Sequence, residues 1–110
     1  MYKLSCTYKA KPGGSDSLKM VDGRCRLFLG CVLGGEHAIS TAITGTEIKL
    51  YTGDDATGDI VVTISSTINK GMIAITNFPR AGVLFEDGIF AVMNSDTVGV
   101  SLFHNGGTST

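Results

Sequence analysis

The chain has 110 residues, a formal net charge of −1 and a pI near 6.0. One domain fits that length, and a near-neutral balance gives no electrostatic reason to expect nucleic acid or an anionic membrane as the main partner. A hydrophobic share of 43% is ordinary for a globular domain and argues against wholesale disorder.

The composition favours strands. Thr, Val and Ile supply 12, 8 and 9 residues, and these β-branched side chains fit a pleated surface. No window shows a sustained helical apolar period free of glycine. Short apolar runs recur instead, separated by Gly, Asp and Asn. That rhythm predicts an all-β fold: a compact antiparallel β-sandwich or jelly-roll-like barrel of about eight strands.

In chain order, residues 2–8 form the first expected strand, and residues 11–17, with Pro12, Gly13 and Gly14, a polar loop. No apolar stretch follows the early lysines, so no secretory signal is visible and synthesis in a cytoplasm is expected. Residues 24–33 read as a long strand. Cys25, Leu27, Leu29, Cys31 and Leu33 share one parity, while Phe28 and Val32 are apolar on the other. Such a strand is covered on both faces or lies at a subunit contact. Its apolar run is too short to cross a membrane, which takes ~20 residues. Residues 38–43 are a weaker candidate. Residues 46–52 and 59–65 alternate well and flank a Gly/Asp-rich loop, which predicts a hairpin. Residues 71–76 give another short strand. Residues 83–86 and 89–93 flank Asp87-Gly88, a pair that signals a tight hairpin. Residues 98–103 close the strand pattern. The expected organisation is a strand and loop over 1–22, available as an arm, a sandwich over 23–105, and a frayed tail over 106–110.

Reaction chemistry is hard to find. No serine sits in a G-x-S-x-G elbow, and His37 and His104 read as surface or loop histidines. Cys6, Cys25 and Cys31 are odd in number, and Cys25 and Cys31 lie ~20 Å apart on a straight strand, so free thiols are expected. Cys25, Cys31 and His37 are spaced too widely to converge on zinc. Asp54, Asp55 and Asp59 lack the order of a calcium loop, although a weak cation site stays open beside the ordinary turn reading. No cofactor and no catalytic activity are expected. The surplus of second-face apolar residues fits either a tightly covered sandwich or a subunit contact. Its candidates are Phe28, Val32 and Phe90, with Phe78, Pro79 and Arg80 of the segment between strands.

Four stretches carry a family resemblance. They are Cys25-Arg26-Leu27-Phe28-Leu29-Gly30, Ile48-Lys49-Leu50-Tyr51-Thr52-Gly53, the run from Asn77 through Pro79 and Gly82 to Phe85, and Val98-Gly99-Val100-Ser101-Leu102-Phe103. Together they resemble small virion structural proteins of tailed bacteriophages and prophages, over about three quarters of the chain. The resemblance implies a capsid decoration, or cement, protein. Such a protein forms homotrimers, binds the major capsid protein and sits on the virion after synthesis in the host cytoplasm. A tail or neck component is the alternative within the same resemblance. A carbohydrate-binding module using Tyr51 or Phe78, and a small enzyme, are competing classes with less in the residues to favour them.

Overall fold

A computed structural model describes residues 4–10, 17–34, 46–66, 73–77, 80–93 and 97–110. Eight strands lie in these segments: β1 (Ser5–Ala10), β2 (Ser17–Gly34), β3 (Thr46–Thr52), β4 (Ile60–Ser66), β5 (Ile73–Asn77), β6 (Val83–Phe85), β7 (Gly88–Met93) and β8 (Thr97–Ser109). They form one sheet with the order β1-β8-β2-β7-β3-β4, and β5 and β6 also pair with β2. Every strand pairing is antiparallel. The all-β reading and the strand number therefore hold.

The sheet is organised around β2, an 18-residue strand. One edge of β2 pairs with β8, from Val21↔Ser109 to Gly34↔Thr97. The other edge is served in turn by three strands. β5 pairs with Leu29–Leu33, β6 with Cys25–Leu27, and β7 with the stretch from Ser17 to Asp22. All three run the same way, so β5, β6 and β7 behave as one interrupted strand laid along β2.

This placement corrects the hairpin expected at Asp87-Gly88. Phe85 pairs with Cys25 and Gly88 with Asp22, so the chain passes straight through the pair without reversing. The glycine answers a different need. Its φ is +98°, and a Cβ there would collide with the Val21 carbonyl oxygen. Asp-Gly here marks a close approach of two backbones. The hairpin expected between residues 46–52 and 59–65 does form, as β3 and β4, with Thr52 N donating to Asp59 O at 3.1 Å.

Other boundaries move outward. The long central strand begins at Ser17, ahead of the expected 24, and runs through Asp22-Gly23 with a register shift against β8. The expected first strand is found as β1. Within the strand and loop expected over 1–22, Ser5–Ala10 pairs with β8 and Ser17–Asp22 belongs to β2. The expected frayed tail is a strand: Thr108 and Ser109 pair with Asp22 and Val21, and Thr110 N donates to Met20 O at 3.3 Å. The candidate strand 38–43 lies outside the described residues.

The core gathers alternate residues from most of the sheet. Leu27, Ile48, Leu50, Phe85, Ile89, Ala91, Met93, Val100 and Leu102 are buried in a single cluster. Residues near both ends of the strand order share it, so the sheet curls around its apolar face. The bend lies where Asp22–Cys25 shifts register against β8. There Gly106 and Gly107 adopt φ of +86° and +70°, which side-chain-bearing residues rarely adopt. Met20 forms a second irregularity, against β7, where the pairing passes from Lys19 to Val21.

Replacing Gly88 by Ala should lower stability by about 2–3 kcal/mol, since strain at positive φ adds to a backbone collision. Gly53→Ala is the matched control: φ is again positive, at +124°, but the added Cβ meets open space. Urea unfolding of the two variants should place Gly88→Ala clearly below Gly53→Ala.

Candidate functional site

Of the six expected contact residues, Phe28, Arg80 and Phe90 are described with their side chains. Phe28 is half-buried at the point where β2 shifts register against β8, between Leu27 and Leu29, and its ring lies against Gly82. Arg80 is exposed in the turn leading to β6. Phe90 is half-buried on β7, opposite Lys19 near the start of β2 and Tyr51 on β3. Val32 pairs with Ala74 and Val100 through its backbone. Phe78 and Pro79 lie outside the described residues. Phe28 and Phe90 thus occupy separate stretches of the sheet.

The interior contains a polar group that parity alone could have revealed. His104 follows Val100 and Leu102 on the inward face of β8 and is 1% exposed. The expectation of a surface histidine is therefore corrected. It arose because the strand was ended at Phe103. His104 Nδ1 lies 2.9 Å from Gly106 O, and Nε2 lies 2.8 Å from Thr7 Oγ1. A carbonyl only accepts, so Nδ1 carries the hydrogen. In the neutral ring Nε2 then accepts from Thr7, which is itself 3% exposed. Thr7 Oγ1 also meets the Ser109 hydroxyl, which donates to it. The chain Ser109 to Thr7 to His104 to Gly106 leaves no polar atom of the ring unpaired. It fastens β1 to the end of β8. His37 lies outside the described residues.

The acidic loop is partly spoken for by the chain itself. Lys19 Nζ donates to Gly53 O at 2.6 Å and to Asp54 Oδ1 at 2.5 Å, with Asp87 O at 3.3 Å and Asp22 Oδ1 at 3.8 Å. This ammonium fills the position a cation would take between the β3–β4 turn and the β6–β7 junction. Asp55 Oδ1 accepts from Thr57 Oγ1 at 2.5 Å and from Thr57 N at 2.9 Å. The hydroxyl first, then the amide, holds the Asp55 carboxyl below the usual carboxylate range. Asp59 contributes its backbone carbonyl to the hairpin. The three carboxylates do not converge, and no group of three metal-ligating side chains occurs among the described residues.

Two of the three cysteines are described with their side chains: Cys6 is exposed and Cys25 buried, both as free thiols. Burial pushes the Cys25 thiol up from 9.0 to about 11, against a smaller downward pull from Lys19. Cys25 also floors a shallow depression of about 320 Å³ lined by Arg24, Arg26, Leu84 and Asn105. Arg24 Nε is 3.5 Å from Glu86 Oε1.

No protein-family model matches the chain, and neither a curated protein nor a solved structure matches it.

Thr7→Val keeps the β-branched shape of Thr7 and removes the donor to His104. It should cost about 1–3 kcal/mol, since a buried acceptor is left unpaired. Thermal unfolding of the variant beside wild type measures this. The Cys25 thiol gives a pH dependence. Its folded pKa lies above its unfolded one, so its contribution is complete below pH 9.0 and is lost as pH rises through about 11. Cys25→Ala should flatten that part of the stability profile. Iodoacetamide at mildly alkaline pH should label Cys6 well before Cys25 in the native protein, read by peptide mass mapping.

Proposed function

We propose that this chain is a virion structural protein of a tailed phage, a capsid decoration protein that binds and stabilises the assembled shell. The four sequence segments described above motivate the reading. The observation that carries it is the outward face of β1. Leu4 and Tyr8 are 47% and 50% exposed, and Cys6 between them is exposed as well. Cys6 and Tyr8 stand opposite the half-buried Phe103 and Ser101 of β8. An apolar row of this kind suits a protein that works by covering surface. Binding the assembled shell but not its loose subunits stabilises the shell by mass action.

A second reading, a ring component of the tail or neck, is favoured by a different observation. β1 and β4 stand at opposite ends of the strand order. Edge-to-edge contact between unlike edges is head-to-tail, and where the rotation allows such contacts close into rings of three or more.

Light scattering of the purified chain separates the two. A mass of three times 11.5 kDa supports the decoration reading. A ring of six or more supports the second. Leu4→Asp with Tyr8→Asp should reduce either assembly to a monomer that stays folded, read by light scattering beside its circular dichroism. A wild-type monomer that cosediments with neither phage heads nor phage tails would overturn both.

A further inference from the structure

We propose that the outward surface of β2 around Arg24 and Arg26 is a docking site for paired carboxylates on an extended acidic segment of a protein partner. The proposal rests on the geometry of β2, β6 and β8 and holds whether or not the chain is a virion component.

The chain has three arginines: two are Arg24 and Arg26, and the third is Arg80. Arg24 and Arg26 flank the buried Cys25, and both are exposed and line one depression. Alternate residues on one face of a strand lie ~7 Å apart. A second extended chain carries its own alternate side chains at that same interval, which matches two carboxylates to two guanidinium groups.

The neighbours complete the site. Arg26 stands between Leu84 on β6 and Asn105 on β8 in the pairing register. Leu84 is half-buried and gives an apolar floor, while Asn105 is exposed and adds an amide donor beside the guanidinium. The depression these residues line is broad and shallow, suited to a side chain presented from outside. Among the described residues, no ion pair or side-chain hydrogen bond engages Arg26. Arg24 already holds a carboxylate, that of Glu86, at 3.5 Å. Both members of that pair are exposed, with side chains 68% and 64% accessible, so the contact is weak and exchangeable. Glu86 thus shows the kind of group the site accepts and competes with the incoming one.

The surrounding charges favour a protein over a nucleic acid. Asp22, Glu86 and Asp87 are exposed at the β2 bulge and the β6–β7 junction, next to the arginines. A polyphosphate chain would be repelled by them along its length, and so would a longer run of acidic side chains, which limits the site to two carboxylates set against the two arginines. Two isolated carboxylates meet only the guanidinium groups, whose planar forks fit carboxylate oxygens two at a time.

The test is a titration of the intact protein, followed through its arginine Nε–Hε and asparagine amide NMR signals. The probe is the capped pentapeptide Thr-Glu-Thr-Glu-Thr, with Thr-Gln-Thr-Gln-Thr, inorganic phosphate and oligothymidylate as comparisons. The glutamate peptide should give saturable shifts at Arg24, Arg26 and Asn105 and leave Arg80 in place. Arg26→Gln should weaken binding about tenfold, as expected for a charge-assisted pair. Glu86→Gln should tighten it by releasing Arg24. All three side chains are exposed, so unchanged melting temperatures are expected to accompany these effects. Equal binding of the glutamine peptide, equal shifts at Arg80, an Arg26→Gln variant that binds as wild type, or tighter binding of oligothymidylate would each overturn the proposal.

Discussion

The strand β2 is hydrogen-bonded along both of its edges, and the rest of the molecule follows from how that is achieved. One edge is met by a single strand, β8, and the other by β5, β6 and β7 in succession. A central strand of 18 residues would twist far out of plane if it stayed regular. Register shifts against β8 near Asp22–Cys25 and Leu27–Leu29, and against β7 at Lys19–Val21, break the run into shorter lengths. Each shift bends the sheet, and the bends let it wrap its own apolar face.

The polar contacts reinforce those bends. Lys19 sits at one shift and draws in the β3–β4 turn and the β6–β7 junction with a single ammonium. Its side chain is only 17% exposed, so its charge-assisted bonds are less diluted by water than those of the Arg24–Glu86 pair. The Thr7–His104–Ser109 chain does the same at the other side of the core, where β8 turns at Gly106 and Gly107. Both groups buttress a corner of the backbone, and neither forms an open catalytic pocket.

Local pattern was readable in the sequence; long-range pairing was not. The alternation of Ile48 and Leu50 against Glu47 and Lys49 predicted β3, and its hairpin with β4 followed from the loop between them. The class of fold was legible for the same reason, since it depends on period and composition. Asp87-Gly88 misled because a glycine demanded by a close backbone approach looks the same as one demanded by a reversal. The tail was misjudged on composition, as Asn105, Gly106 and Gly107 read as loop residues yet serve as a strand corner. Of the surface, the pairing of Arg24 and Arg26 on one strand could have been read from their spacing. The adjacency of Leu84 and Asn105 could not, because it depends on register between distant strands.

The order in which β2 acquires its neighbours has a consequence for biosynthesis. Its partners β5 to β8 all lie later in the chain, and β8 is the last strand described. While the ribosome is still upstream of Thr97, β2 carries one edge with unpaired amides and carbonyls, and β1 has no strand to join. An edge of that length is a template for pairing with other nascent chains. Contacts so distant in sequence also close slowly. The molecule therefore has a vulnerable interval during its synthesis that ends only when β8 has emerged to pair with both β1 and β2.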